Sequence, residues 1–203
     1  MACINVPPIL SVVLPTLNEA SRLPLLLADL HQWPFSIELL VVDCGSTDKT
    51  RTVARLSRAK VLRTPSPNRG AQLRKGASLA CGTWLLFLHA DSRLHAKWPI
   101  LIKKTITKPA AHKKGWFFDF RIKGKRFDYR LLEIAVAIRS NFGKQPYGDQ
   151  GLLISRSLYN KLGGFSPIHL MEDIDFVERI STESQMGRIG LPIYTDGKKW
   201  SNI

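Results

Sequence analysis

Short apolar runs alternate with helical patterns through the first half of the chain, and this alternation limits the folds open to it. The apolar runs predict strands at residues 9–14, 37–42, 60–63 and 83–88. Helical spacing or candidate capping residues predict the intervening helices, at residues 23–30, 46–58 and 69–80. Strands that are apolar on both faces are typical of a parallel sheet covered by helices on both sides. The sequence therefore predicts an α/β fold.

The second half of the chain is less regular. It contains predicted strands at residues 116–122 and 152–154, and predicted helices at residues 129–138 and 172–180. Turns are predicted at residues 148–151 and 162–165, where glycines cluster. No internal repeat, low-complexity tract or linker divides the 203 residues, so we expect a single domain over residues 1–203.

Hydropathy and cysteine content bear on where the protein works. No apolar run approaches the roughly 18 residues that a membrane-spanning helix needs, and the first eight residues lack the pattern of a signal peptide. The three cysteines, Cys3, Cys44 and Cys81, show neither metal-ligand nor disulfide spacing. These features predict a cytoplasmic protein.

An excess of basic residues gives the chain a formal net charge of +14. Such an excess attracts polyanions, which include nucleic acid, an anionic membrane surface and phosphorylated small molecules. A generally basic, solvated surface explains the same composition. Aromatic residues interleaved with basic ones would favour nucleic acid, and Trp116, Phe117 and Phe118 near Lys113 and Lys114 are the one such cluster in the sequence.

Polar segments follow three of the predicted strands, and parallel strands bring their carboxyl ends to one edge of a sheet. The segments are residues 15–20 (PTLNEA), 43–50 (DCGSTDKT) and 89–92 (HADS). Ligands bind at this edge in open α/β sheets. Asp43 can accept hydrogen bonds from a nucleobase or a ribose, and Asp91 is a natural oxygen ligand for Mg²⁺ or Mn²⁺ beside a diphosphate.

Each of these side chains also has a purely structural interpretation. Asp43 and Asp91 stand where helix caps are common, and His89 is either a second metal ligand or a polar strand-end residue. Glu172 and Asp173 begin a predicted helix, where acids balance the helix dipole. A carboxylate at that position can also act as a general base toward an acceptor hydroxyl.

Taken in order, these segments resemble the inverting glycosyltransferases of family 2, which have the GT-A fold. PTLNEA, VVDCGSTDKT and LHADS accompany the first, second and fourth strands. GDQGLLISRSLYNKLGGF (148–165) and MEDIDFVERI (171–180) follow in the second half. NRGAQLRKGASLACGTWLLFLHAD (68–91) resembles a bacterial subgroup of small family 2 transferases. Each motif alone is weak, and five in order make a specific signature.

The resemblance implies a nucleotide-sugar-binding half at residues 9–95 and an acceptor-binding, catalytic half at residues 96–203. The donor is expected to be a nucleotide-sugar, usually a UDP-sugar. The implied donor-site residues are Pro15, Thr16, Asn18, Glu19, Asp43, Ser46, Arg69, Gln72 and Lys75. In the second half, the resemblance implies acceptor contacts from Gly148, Asp149 and Gln150, and a base, Asp173, that Glu172 orients.

The implied reaction is a single in-line displacement with inversion at the anomeric carbon. Asp173 would take the proton of the acceptor hydroxyl, while basic side chains and Mn²⁺ or Mg²⁺ on Asp91 would stabilise the leaving diphosphate. The sequence does not identify the acceptor, which is a sugar, a lipid or a small molecule. A lipid acceptor would fit peripheral contact with the inner face of the membrane.

Two departures from the family pattern affect these expectations. His89 stands where the metal motif of the family has its first Asp, which leaves Asp91 as the remaining carboxylate of that motif. The chain also ends at Ile203, soon after Trp200, where members of the subgroup continue, so we expect a truncated carboxyl terminus.

Three other functions compete with the transferase. A nucleotidyltransferase uses a similar sheet edge, but PTLNEA lacks the glycine-rich signature expected before its first helix. A nucleic-acid- or polyanion-binding module would explain the charge, although we expect no nucleic-acid partner. A catalytically inactive relative that binds sugar nucleotides would explain His89.

Overall fold

The computed structural model describes residues 8–122, 129, 130, 133, 134, 136 and 148–195. The strands are β1 (Leu10–Thr16), β2 (Ile37–Asp43), β3 (Lys60–Arg63), β4 (Trp84–Phe87), β5 (Arg93–Leu94), β6 (Lys114–Ile122), β7 (Leu152–Ser155) and β8 (Gln185–Thr195). The helices are α1 (Leu23–Leu30), α2 (Thr50–Leu56), α3 (Arg69–Leu79), α4 (Trp98–Ile106), α5 (Arg156–Lys161) and α6 (Glu172–Glu183). Two short 3-10 helices lie at Ala111–Lys113 and Gly148–Gln150.

The eight described strands form one mixed sheet in the order β3-β2-β1-β4-β7-β6-β8-β5. β1 pairs in parallel with β2 and β4, and β2 pairs in parallel with β3. β7 is antiparallel to β4 and β6, β8 is parallel to β6, and β5 is antiparallel to β8. The predicted α/β fold is confirmed, and the carboxyl ends of β1 to β4 meet at one edge of the sheet.

Alternate side chains of β1 pack into two hydrophobic cores, one on each face of the sheet. Val12 and Leu14 pack with the buried leucines of α1, whereas Val13 packs with α3 and α6. This alternation explains why the strand is apolar at successive positions. Each leucine buried in this way stabilises the fold by about 1.5–3 kcal/mol. The two helical layers fix α3 and α6 on the same side of the sheet, where both contribute to the site described below.

Several predicted boundaries shift. β1 continues through Pro15 to Thr16, because beyond Val13 it pairs with β2 and no longer with β4, so a missing N–H group is tolerated there. The predicted helix at residues 46–58 begins at Thr50. The side-chain oxygen of Ser46 instead accepts a hydrogen bond from the backbone of Asn18, and Asp48 Oδ1 accepts one from the Thr50 backbone N–H.

The expectation that no cysteine forms a disulfide is wrong for Cys81, which is disulfide-bonded. Spacing along the chain does not determine which thiols fold close together. Cys44 is a buried free thiol.

The predicted helix at residues 129–138 lies largely outside the described residues. Within the part of the chain that the structure describes, no helix has the length and hydropathy needed to cross a membrane.

Candidate functional site

A cleft of about 310 Å³ opens at the carboxyl edge of the parallel strands. Three chain segments form most of its wall: the loop after β1, the start of α3 and the turn after β4. The predicted residues that line it are Pro15, Thr16, Glu19, Arg69, Gln72, His89 and Asp91. The structure therefore brings together seven of the predicted site residues, from three segments that are distant in sequence.

Asn18 joins the loops that follow β1 and β2. It adopts a left-handed backbone conformation, with φ of 56°, which asparagine tolerates better than most residues. Its Oδ1 accepts hydrogen bonds from the backbone N–H groups of Thr47 (2.9 Å) and Asp48 (3.4 Å), and its own N–H donates to Ser46 Oγ (2.9 Å). Asn18 and Ser46 thus shape the rim of the cleft and do not line it.

Asp43 is completely buried at the end of β2. Its Oδ2 accepts hydrogen bonds from the backbone N–H groups of Gly45 (3.2 Å) and Ser46 (3.1 Å), and Arg51 lies 3.6 Å from the same oxygen. Its Oδ1 is buried without a hydrogen-bond partner. The neighbouring Cys44 lines the cleft, and burial together with the charge of Asp43 raises the pKa of its thiol.

Helix α3 begins at the cleft and carries three predicted donor-site residues, Arg69, Gln72 and Lys75. Of these, Arg69 lines the cleft with a partly exposed side chain, so it can contact a bound ligand. Asn68 caps the helix, because its Oδ1 accepts a hydrogen bond from the Ala71 N–H. Gln72 is buried, and its amide N–H group donates to the backbone oxygens of Thr16 (3.1 Å) and Val42 (2.6 Å). Lys75 is exposed, outside the cleft lining, and donates to the Arg63 carbonyl.

Arg69 connects the cleft to the two carboxylates that begin α6. Its Nε donates to Glu172 Oε1, and a terminal nitrogen lies 3.6 Å from Asp173 Oδ1. Its other terminal nitrogen is 3.4 Å from His89 Nε2. Glu172 is almost fully buried, with a side chain 1% exposed, and its Oε2 has no hydrogen-bond partner. The Asp173 side chain is 15% exposed.

Asp173 does not line the larger cleft. It lies behind Arg69 and His89, where it borders a cavity of about 30 Å³ with mostly apolar walls. His89 lines both spaces and therefore stands between them. Asp173 Oδ2 accepts a hydrogen bond from the Gly148 N–H (2.7 Å), and Oδ1 accepts one from the Ile174 N–H (3.0 Å). These contacts fix the orientation of its carboxylate.

Two glycines allow the close approaches that assemble this region. A Cβ atom at Gly148 would lie 2.9 Å from Asp173 Oδ2. A Cβ atom at Gly70 would lie 2.1 Å from the backbone oxygen of Ser166 and 3.0 Å from that of Ile168. The loop at residues 166–171 therefore rests directly on the start of α3, next to Arg69.

The same loop is tied to α6 by charged side chains. Arg179 donates to Asp175 Oδ2 (2.6 Å), and Ser166 Oγ donates to the same oxygen (2.8 Å). Burial alone would raise the pKa of Asp175, but these hydrogen bonds outweigh it and lower the pKa below the ordinary value.

The predicted acceptor residues adjoin Asp173 through Gly148, which lines the same small cavity as Asp173 and His89. Gly148 and Asp149 belong to the short 3-10 helix before β7, and Asp149 is partly exposed. Gln150 is 2% exposed, and its amide N–H group donates to the Phe118 carbonyl (3.1 Å). Gln150 is thus held inside the fold, while Gly148 contacts Asp173.

Asp91 and His89, the predicted metal ligands, both line the cleft, as do the carboxylate of Glu19 and the imidazole of His169. Asp91 is 8% exposed and belongs to the turn that is closed by the Ser92 N–H to His89 carbonyl hydrogen bond. No group of three or more His, Cys, Asp or Glu residues in the described part of the chain is arranged to hold a metal. A carboxylate and an imidazole fit Mn²⁺ or Mg²⁺ only if a ligand supplies the remaining oxygens.

Sequence reasoning missed several residues at the cleft, among them Leu17, Pro67, Asn68 and His169. Asn68 had a recognisable signal, since it is a preferred capping residue before a helix. Its Nδ2 also donates to the Pro167 carbonyl (3.0 Å), which anchors the loop that carries His169. His169 had no such signal, because it lies in an irregular loop.

Comparison with known proteins identifies the family. Residues 11–163 match the family model of glycosyl transferase family 2. The chain belongs to glycosyl transferase family 2. A "PGL/p-HBAD biosynthesis glycosyltransferase" of Mycobacterium bovis is 38% identical over 95 residues, which cover 43% of this chain and 37% of that protein. The match thus spans well under half of the relative.

Solved structures of glycosyltransferases share the fold. S. aureus TarS (residues 1–349) in complex with UDP has a TM-score of 0.71 at 17% identity, over 92% of this chain and 60% of that one. The mannosyltransferase PcManGT from Pyrobaculum calidifontis, in complex with GDP-Man and Mn²⁺, has a TM-score of 0.69 at 18% identity, over 94% and 57% of the two chains. The predicted GT-A fold is confirmed.

Proposed function

We propose that this chain transfers a sugar from a nucleotide-sugar to an acceptor hydroxyl, by a single displacement with inversion. The observation that carries the proposal is the position of Arg69, which lines the cleft and at the same time contacts Glu172 and Asp173. One side chain thus links the space for a donor to the candidate base.

The donor would occupy the cleft of about 310 Å³. Pro15, Thr16 and Glu19 would contact the nucleoside, and Arg69 would face the diphosphate. A UDP-sugar is the proposed donor, supported by family membership and by the UDP held by TarS. Asp43 remains a prediction as a contact to the base, because it is fully buried and does not line the cleft.

Asp91, with His89, would hold Mn²⁺ or Mg²⁺ together with donor phosphate oxygens. When bound, the cation would supply positive charge that stabilises the leaving diphosphate. Arg69 adds a positive charge that also lines the cleft.

Asp173 would accept the proton of the acceptor hydroxyl as that oxygen attacks the anomeric carbon. The N–H groups of Gly148 and Ile174 already orient its carboxylate. Glu172 would serve as the buried counter-charge that holds Arg69. The acceptor would approach past Gly148 and Asp149.

The direct test is the pair Asp173→Asn and Asp91→Ala, assayed with UDP-, GDP- and dTDP-sugars. We expect Asp173→Asn to bind donor normally while its rate falls by roughly 10²–10⁴-fold. Asp91→Ala should lose metal-dependent nucleotide affinity in calorimetry. Normal turnover by Asp173→Asn would show that Asp173 is not the base. Unchanged metal-dependent affinity for nucleotide in Asp91→Ala would show that Asp91 is not a metal ligand.

A second candidate is a sugar-nucleotide-binding protein without turnover. His89 in place of the family's first Asp favours it, because one carboxylate of the metal motif is then missing. Metal-dependent nucleotide binding without transfer to any of a broad panel of sugar, lipid and small-molecule acceptors would support this candidate over the transferase.

A further inference from the structure

One stretch of the chain, which includes the terminal strand of the sheet, carries basic residues and no acidic ones. From Lys49 to Ala90 the sequence contains nine lysines and arginines and neither aspartate nor glutamate. This stretch forms α2, β3, α3 and β4, and β3 is the terminal strand of the sheet. A fifth of the chain thus supplies nine positive charges, against a net charge of +14 for the whole chain.

Five of these basic side chains are exposed on α2, on β3 and in the turns beside them. We call Lys49, Arg55, Arg58, Lys60 and Arg63 the basic edge. None of the five forms an ion pair with an acidic residue in the part of the chain that the structure describes. Their charges are therefore available to an external anion.

An exposed leucine stands among these charges. Leu56, the last residue of α2, is 80% exposed and lies between Arg55 and Arg58 in sequence. Apolar side chains flanked by basic ones are typical of surfaces that bind the headgroup region of an anionic bilayer. A single exposed leucine is common on protein surfaces. The inference of membrane contact therefore rests on the position of Leu56 among the basic side chains.

Two alternative roles fit the basic edge less well. Charges on a terminal strand prevent it from pairing with another sheet, which accounts for Lys60 and Arg63 but not for the arginines of α2 and the turn after it. Single-stranded nucleic acid binds by stacking its bases on aromatic side chains. Residues 49–83 contain no Phe, Tyr or Trp.

We propose that the basic edge docks the protein on an anionic phospholipid bilayer, with Leu56 inserted among the headgroups. Arg63 ends β3 at the same edge of the sheet as the cleft, and Arg69 lies in both the basic stretch and the cleft wall. Leu56 and Arg58, in the connection that leads into β3, lie at the other end of this strand, away from the cleft. The proposal does not depend on the transferase reaction.

Vesicle sedimentation tests this surface directly. The probe is phosphatidylcholine vesicles with and without roughly 30% phosphatidylglycerol, at about 50 mM and about 300 mM salt. The variant R55E/K60E/R63E reverses three charges of the basic edge. Its control, K97E/K104E/K161E, reverses three exposed lysines elsewhere and lowers the net charge equally. Circular dichroism of each variant confirms folding.

We expect the wild-type protein to bind only the anionic vesicles, and more weakly at the higher salt concentration. R55E/K60E/R63E should lose roughly 100-fold or more in partition coefficient, since each basic residue near an anionic surface contributes about a factor of five. The control should lose much less. Leu56→Ser should weaken binding about tenfold, and this loss should persist at the higher salt concentration.

Three results would overturn the proposal. An equal fall in the vesicle partition coefficient of the two triple variants would mean that the overall charge, and not the basic edge, drives binding. If the wild-type protein does not sediment with anionic vesicles at the lower salt concentration, docking on an anionic bilayer is excluded. Tight binding to random oligonucleotides without vesicle binding would assign the basic edge to nucleic acid.

Discussion

The ion pair between Arg69 and Glu172 makes a quantitative prediction about stability. Glu172 is 1% exposed and depends on Arg69 for its counter-charge, while its second oxygen has no hydrogen-bond partner. Arg69→Met would keep the aliphatic stem and leave the buried carboxylate unpaired. Breaking a buried pair in this way costs about 3–5 kcal/mol.

Solvent access reduces that figure. The Arg69 side chain is 38% exposed, so water already screens the guanidinium. We therefore expect Arg69→Met to lower the free energy of unfolding by about 2–3 kcal/mol, toward the lower limit for such pairs. In a domain of this size, that corresponds to a fall of roughly 4–12 °C in Tm.

A double-mutant cycle separates the ion pair from other effects of losing Arg69. Glu172→Gln should cost about 1 kcal/mol, because the amide keeps its volume and carries no charge. The double variant should be about as stable as Glu172→Gln alone, because no buried charge remains unpaired. The coupling free energy from urea denaturation should then be about 2–3 kcal/mol in magnitude.

The control is Arg55→Met, which removes an exposed arginine with no ion pair among the described residues and should change stability by less than about 0.5 kcal/mol. If the losses of the two single variants simply add, with a coupling below about 0.5 kcal/mol, the pair does not hold this region together. The role of Glu172 as the anchor of Arg69 would then be wrong.

Three further predictions follow from the geometry. Gly70→Ala should destabilise the protein by about 1–3 kcal/mol and lower activity, because the new methyl group meets the Ser166 carbonyl at 2.1 Å; thermal melts and initial rates check both. Asp175, whose pKa is lowered in the folded protein, stabilises the fold above its ordinary pKa of 3.8, and that contribution disappears as the pH falls through the lowered value. Asp175→Asn should therefore cost about 0.5 kcal/mol at pH 7 and flatten the loss of stability below about pH 4, measured by urea denaturation, since the partner Arg179 is partly exposed. His89→Asp would supply a second carboxylate beside Asp91, and calorimetry should show several-fold tighter Mn²⁺-dependent binding of UDP.

The sequence predicted the parallel half of the sheet because its strands are buried on both faces. Runs such as residues 37–42 are apolar at almost every position, and the polar residue that follows each run then marks the sheet edge. This is why Thr16, His89 and Asp91 could be placed together from the sequence. β8 escaped prediction because its alternation is broken by Gly187, Gly190 and Pro192.

Helix geometry explains why the predicted row Arg69, Gln72 and Lys75 does not act as a unit. Each residue advances about 1.5 Å along a helix axis. Lys75 therefore lies about 9 Å farther from the sheet edge than Arg69. Only the first turn of α3 reaches the cleft, and there the Gln72 amide is used to bridge the ends of β1 and β2.

The family resemblance implied different roles for the adjacent acids at the start of α6, and their geometry gives a physical reason for that division. Successive helical residues point about 100° apart, so the two side chains differ in their other contacts even though both approach Arg69. Glu172 turns toward Arg69 and is sealed from solvent. Asp173 faces Gly148 and keeps some exposure. A base must reach the acceptor, whereas an anchor for Arg69 is strongest when buried. The division of burial therefore supports Asp173 as the base and Glu172 as the residue that positions the arginine between base and donor.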